Sequence, residues 1–194
     1  LPSVPVRATI DLKNRGQLLV DLSRAYQFDI VRTFDGSGRK LKFKLRSADP
    51  VATLTDADIG WSMSDEPQPP YTAKRIQDFE LPQLVRVNYQ SEALDYNTFT
   101  QESELVTFNK GVDVDMQLTN LTIEDDKAKE ISEAILIQSH LERTTYSFSV
   151  TFDWIHIEPG DIITIQTPKL NTNVRIVNVA EEGDAPGLLT WTAV

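Results

Sequence analysis

A change of period at Thr144 most constrains what this chain can fold into. Ahead of it, apolar residues recur at helical spacing. At about 100° per residue, Ala128, Ile131, Ala134, Ile135, Gln138 and Leu141 fall on one face. Thr122 is placed to cap the amide of Asp125, and Glu124, Asp125 and Asp126 put negative charge at the positive end of the helix dipole. Arg143 sits near the opposite end, where a cation is favoured. Leu136 and Ile137 lie off the main stripe, so they either widen the buried face or meet another subunit. After Thr144 the period becomes two. Tyr146, Phe148, Val150 and Phe152 alternate with Ser147, Ser149 and Thr151, the pattern of a half-buried strand. The turn Glu158-Pro159-Gly160-Asp161 then reverses the chain into a return strand, Ile162 to Ile165.

The order of these signals resembles a known family. A helix ending in Glu142-Arg143, a strand of alternating aromatics and hydroxyls, and a Glu-Pro-Gly-Asp turn are similar to the tail-hub-like proteins of tailed bacteriophages and gene transfer agents. Upstream, Leu81-Pro82-Gln83-Leu84-Val85-Arg86-Val87-Asn88-Tyr89 followed by Asp95-Tyr96 resembles that family's "LP-x-x-V-x-V-x-Y … DY" signature. The resemblance covers roughly Glu80 to Val179. It implies small β-barrel domains that echo the tail tube and set the geometry of a ring.

Composition narrows the function classes. A chain of 194 residues, 40% hydrophobic, can bury a real core in one good-sized or two small domains. A net charge of −10 argues against a dedicated nucleic-acid binder, whose affinity rests on neutralising phosphates. Cysteine is absent, which removes disulfides, thiolate chemistry and Cys-zinc sites, and fits manufacture in a reducing cytoplasm. No apolar run approaches the roughly 20 residues of a membrane span. The given sequence opens at Leu1 without a basic-then-apolar stretch, so no signal peptide is expected in it, and a start at Leu rather than Met suggests a piece of a longer polypeptide.

In chain order, Asn14 is the expected N-cap, with Gln17 in the capping-box position, of a helix from about Arg15 to Gln27 carrying Leu18, Leu19, Leu22, Ala25 and Tyr26 as its stripe. Phe28 to Val31 and Leu41 to Leu45 form a hairpin around Asp35-Gly36-Ser37-Gly38. Ser64 to Pro70 is a polar, Pro-rich loop that Trp61 is expected to anchor to the core. Leu84 to Tyr89 and Val112 to Met116 alternate as strands, and Val174 to Val179 with Leu188 to Val194 make a final hairpin. The predicted fold class is α+β: two helix-plus-β-hairpin units with small β-barrel-like sheets, as in phage tail hubs. The divisions expected are 1–48 for the first helix and hairpin, 49–79 for an irregular Pro-rich connection, and 80–194 for a tail-hub-like domain with one long helix.

No residue set points to catalysis, a metal or a cofactor, so no catalytic, metal or cofactor-binding residue is assigned. His140 and His156 lack partners at ligand or triad spacing. Asp56-Ala57-Asp58-Ile59-Gly60 opens like a calcium loop but lacks a third oxygen ligand and the closing Glu, and a turn or helix start fits it better. Asp113 and Asp115 share a strand face, yet glycosidase chemistry needs one carboxyl held neutral by burial. Lys40, Lys42, Lys44 and Arg46 share a face opposite the core; a solvated face, or ion pairs to an acidic neighbour, fits them better than a DNA strip.

The function this implies is structural. The chain is expected to be part of a phage, prophage or gene-transfer-agent tail hub or tail tip, a virion tail component assembled in the bacterial cytoplasm. It would form a homo-trimeric ring with tail tube, tip or fibre components as partners, and meet DNA only in passage through the channel. Its surplus of carboxylates would then keep the channel from gripping that DNA. The competing expectation is an extracellular carbohydrate- or ligand-binding β-module that uses Trp61, Trp154 or Trp191 as a platform.

Overall fold

The computed structural model describes residues 7–8, 15–34, 36, 38–46, 49–62, 69–105, 111–181 and 187–194. Asn14, Asp35, Ser37 and Ser64 to Gln68, named above for capping and turns, lie outside the described residues. The fold is α+β, with two helices beside three sheets, and no closed barrel is present among the described residues. The chain divides into two units, each assembled from two separated stretches: Leu1–Gln27 with Ile76–Arg143, and Phe28–Arg75 with Thr144–Val194.

The first unit carries both helices. Its four-stranded sheet has the order β1 (Arg7–Ala8), β8 (Val112–Thr122), β6 (Pro82–Gln90), β7 (Thr98–Glu104). β6 runs parallel to β8 and antiparallel to β7. α1 (Arg15–Ala25) packs on β8, and α2 (Asp125–Leu141) lies across β6 and β7. The alternation of β6 sends Val85, Val87 and Tyr89 inward, where they meet Leu118, Leu121, Ile123, Ala128, Ile131 and Leu136. The buried face of α2 therefore runs through Ala128, Ile131, Ser132 and Leu136. It is rotated from the stripe expected, and Leu141 is 77% exposed. Leu136 widens the core while Ile137 points to solvent.

The start of α2 also departs from expectation. Thr122 closes β8 instead of capping, and Glu124 occupies the N-cap without a side-chain cap bond. Asp125 turns toward the sheet and accepts hydrogen bonds from the Tyr89 hydroxyl at 2.6 Å and the Ser91 hydroxyl at 2.9 Å. Two donors, one on β6 and one just past its end, thus hold a carboxylate in the first helical turn. Gln17 likewise makes no capping box among the described residues; its amide donates to Asp21, a buried carboxylate that also accepts from Asn120. Burial first, and the bond to Asp125 second, push the Tyr89 phenol up to about 12. Tyr89→Phe is expected to lower stability by about 1–2 kcal/mol, because a charge-assisted bond is lost while Ser91 still serves Asp125. Urea denaturation of the two proteins measures it.

The second unit is built of strands. β4 (Ala52–Thr55), β10 (Ile162–Gln166), β11 (Asn171–Glu181), β12 (Leu188–Ala193), β9 (Thr144–Thr151) and β5 (Thr72–Arg75) lie side by side in that order. Only β4 with β10 is parallel. The final hairpin, β11 with β12, forms as expected, with a bulge between Ile176 and Asn178. β9 and β10 do not pair with each other, contrary to the reading of Glu158 to Asp161 as the turn of a hairpin. β9 lies between β12 and β5, and β10 between β11 and β4. A helical turn at Phe152–Trp154 and the buried Ile157 make the connection too long for a hairpin and carry it past two strands. The core gathers Leu54, Phe148, Val150, Ile163, Ile165, Val174, Ile176, Leu189 and Trp191.

β2 (Phe28–Phe34) and β3 (Arg39–Leu45) complete this unit as the expected antiparallel hairpin. Each helix and the hairpin that follows it in sequence fall in different units. β10, β11 and β12 pair in sequence order, while β4, β9 and β5 join from elsewhere in the chain, and among the described residues the sheet ends at β4 and β5 without closing into a barrel.

Candidate functional site

The basic strand and the acidic turn, separated by more than a hundred residues, form one site inside the second unit. Lys44 Nζ lies 2.7 Å from Asp161 Oδ1 and 3.1 Å from Glu158 Oε2, while Lys42 Nζ reaches the same Glu158 oxygen at 3.1 Å. Thr33 donates to the other Glu158 oxygen at 2.9 Å. Beside them, Asp29 accepts from Arg46 at 3.0 Å and from Arg175 at 2.8 Å. Lys44 is the centre of the arrangement, since only 8% of its side chain is exposed. A lysine at that depth is tolerated because two carboxylates meet it.

The turn has the shape to receive it. Gly160 adopts φ +81, a conformation glycine reaches without a Cβ penalty, and its Cα side is covered by the Lys44 chain, Asp29 and Val31. Gly160 N donates to Ile176 O, and Ile176 N to Asp161 O, so the turn is fastened to β11. Asp161 Oδ2 further accepts from the Glu158 amide, closing the loop on itself. The hydrogen bond from Lys44 is the first cause, ahead of the opposing effect of burial and of help from Lys42 and Thr33, that holds the Glu158 carboxyl down at about 2. The site is a mechanical clasp. It presents charge to charge within one unit, and the pairing with Lys44 keeps the Glu158 carboxyl ionised.

This placement corrects the hairpin's orientation. The lysine side of β3 is turned onto the protein at Lys44, and the apolar side, Leu41, Phe43 and Leu45, faces solvent. Sequence alternation identifies two faces but not which is inward, and the alternating basic residues gave the wrong sign. The signal that could have found it is the Glu158-Pro159-Gly160-Asp161 turn, which supplies the counter-charges.

The other candidates are placed as follows. Asp113 and Asp115 share a face, and Arg86 bridges them at 3.1 and 3.7 Å while reaching Glu102 at 3.5 Å, so the pair is an ion-pair ladder on an open sheet face. His140 contacts the Pro82 carbonyl at 2.8 Å, and His156 contacts the Asp153 carbonyl at 3.2 Å. Asp58 accepts from the amide and hydroxyl of Thr55, closing a local turn at the expected loop. Asp95 and Tyr96 both adopt positive φ, 52 and 63, directly after a helical turn at Glu92–Leu94. The tryptophans separate. Trp191 is fully buried, Trp154 packs partly against the core, and Trp61 is half exposed, its indole donating to the Ala57 carbonyl instead of anchoring to the core. Trp61 alone of the three is exposed as a binding platform would need. No helix among the described residues is long and apolar enough to cross a membrane.

Residues 16–179 match the family described as "Putative phage tail protein". The chain belongs to this phage tail protein family. No curated protein sequence matches it. The tail protein's fold recurs in solved structures. Over 91% of its length it resembles a chain in the virion of a native gene transfer agent particle, with TM-score 0.78 and 24% identity, covering 37% of that chain. A tail protein from Neisseria meningitidis MC58 is similar over 90% of the chain, with TM-score 0.55 and 14% identity, covering 52% of its own length. The 43 kDa tail protein of prophage MuSo2 from Shewanella oneidensis is similar over 92%, with TM-score 0.54 and 12% identity, covering 50%. This tail protein thus spans about a third to a half of the solved chains it resembles.

Proposed function

We propose that this tail protein is part of a tail hub or tail tip, a ring that joins the tail tube to the host-recognition or cell-wall-penetrating device below. The observation that carries the reading is the likeness of nearly the whole chain to a chain of the gene transfer agent virion. Family membership supports a structural, non-enzymatic role. The open sheets support assembly. β5 is exposed along its whole length, and an edge strand of this kind offers unpaired backbone groups to a neighbour. A closed wall would then arise between copies, most simply three, with tail tube, tip or fibre proteins above and below and with DNA passing through. The acidic excess suits a channel that repels phosphates.

An antibody against the chain, applied to tailed particles from the source culture under the electron microscope, tests the reading. Label at the tail end farthest from the head is expected. Particles that carry no label, with the protein free or on cells, would overturn it.

A further inference from the structure

The clasp that draws Lys44 inward leaves the opposite side of the hairpin outward. Strand register puts Phe28, Ile30 and Arg32 on the same side as Leu45, Phe43 and Leu41, with Arg39 at its end. Phe28 and Phe43 meet edge to face at 5.5 Å, which stiffens the patch. Leu41 is 49% and Phe43 46% exposed, in a hairpin whose other side is committed to the acidic turn. An apolar surface ending in two arginines is thereby held rigidly toward solvent.

The first unit carries a surface of matching length and opposite charge. Along α2, Glu130, Ile137 and Leu141 fall within about 40° of one another at helical spacing, with Glu133 flanking them. Ile137 is 56% exposed and Leu141 more so. The helix stripe is apolar at its C-terminal end and carries Glu133 and Glu130 toward its N-terminal end, where Glu130 also pairs with Lys127 one turn back. From Leu141 to Glu130 it runs about 16 Å at 1.5 Å per residue. From Leu45 to Arg39 the hairpin side runs about 20 Å at 3.4 Å per residue. Laid together in one direction, leucines and aromatics meet Ile137 and Leu141 while Arg32 and Arg39 meet Glu130 and Glu133.

We propose that the outward side of hairpin β2–β3 docks on the exposed stripe of α2 of a second copy of this chain. The proposal rests on the ring reading above. Two different patches on one chain that fit each other make a head-to-tail contact, the kind that closes into a ring when its rotation permits. The paired charges fix direction and partner, and the apolar ends supply burial.

The absence of cysteine makes the test direct. Phe43→Cys and Ile137→Cys, both at exposed positions, are made separately in the full chain, mixed and oxidised with copper phenanthroline, with Lys169→Cys as the random-collision control. A disulfide-linked dimer is expected from the mixture at severalfold the yield of either variant alone or of either mixed with the control. Glu133→Lys should reduce that yield severalfold, and adding Arg32→Glu to the partner should restore it. A Phe43→Cys homodimer as abundant as the mixed species would overturn the proposal in favour of hairpins meeting each other. A double variant that closes only within one chain would overturn it because the stripe is covered by its own hairpin. A yield no higher than the control overturns it too, leaving another tail protein as the occupant. Tail-end antibody label without the mixed cross-link removes this contact alone; loss of the label removes the ring reading beneath it.

Discussion

Replacing Trp191 with alanine is expected to lower the stability of the strand-built unit by about 3–5 kcal/mol, the usual cost of emptying a large aromatic site in a packed core. Trp191 is fully buried on β12 and meets Phe148 edge to face at 5.9 Å. Both neighbours of its strand, β9 and β11, contribute to the same cluster, so the surrounding backbone is pinned by ladders on two sides and cannot collapse into the space. Trp191→Phe separates packing from polarity. The indole N–H is buried with no hydrogen-bond partner among the described residues, so its removal strands no acceptor. Phenylalanine should therefore cost less than about 1.5 kcal/mol despite the lost volume. Urea midpoints, compared at unchanged slope, decide it. A Trp191→Phe loss equal to that of Trp191→Ala would mean that the indole nitrogen is bonded after all.

Lys44→Ala is expected to cost about 2–3 kcal/mol, below the full cost of breaking a buried pair because both carboxylates keep some solvent access. The substitution leaves Asp161 without its closest cation and Glu158 with only Lys42 and Thr33. Acid titration carries a second signature. The Glu158 carboxyl is held at about 2 against an ordinary 4.5, so its stabilisation is complete above 4.5 and is lost as pH falls toward 2. In Lys44→Ala the Glu158 value should rise toward the ordinary one, since Lys44 is the largest cause of its depression. The mutant's stability should therefore fall less steeply over that interval. Thermal unfolding of both proteins between pH 2 and pH 5 reads the slope. Parallel curves would show that the clasp does not set the Glu158 charge.

What was legible in the sequence was local. The period of 3.6 from Ala128 onward and the period of two in Tyr146 to Val150 are properties of each segment, so helix α2, strands β6 and β9 and hairpins β2–β3 and β11–β12 appear where expected. The residues of the Leu81 to Tyr89 signature proved to be core and helix-anchoring groups: Leu81, Val85, Val87 and Tyr89 are buried, and Tyr89 holds Asp125. The missing cap at Thr122 was not legible, since Thr122 is taken up by strand β8 and Asp125 is held by groups more than thirty residues away.

The side of β3 that turns inward was not legible. Alternation of lysines with Leu41, Phe43 and Leu45 ordinarily buries the apolar side, because charge is costly to desolvate. Here Glu158 and Asp161 arrive from the far end of the chain and offset that cost at Lys44. The partners of β9 and β10 were equally hidden, because nothing in a strand's own pattern says which ladder it will join. The sequence by itself determined the strongly periodic elements, the family resemblance and the charge imbalance, but not β4 and β5, which lie in the stretch 49–79 expected to be irregular. Only the tertiary structure decided which strands pair, which carboxylates meet Lys44 and which apolar residues remain outside, since each depends on groups that lie apart in the chain, more than a hundred residues apart for Lys44 and its carboxylates and for β4 and β10.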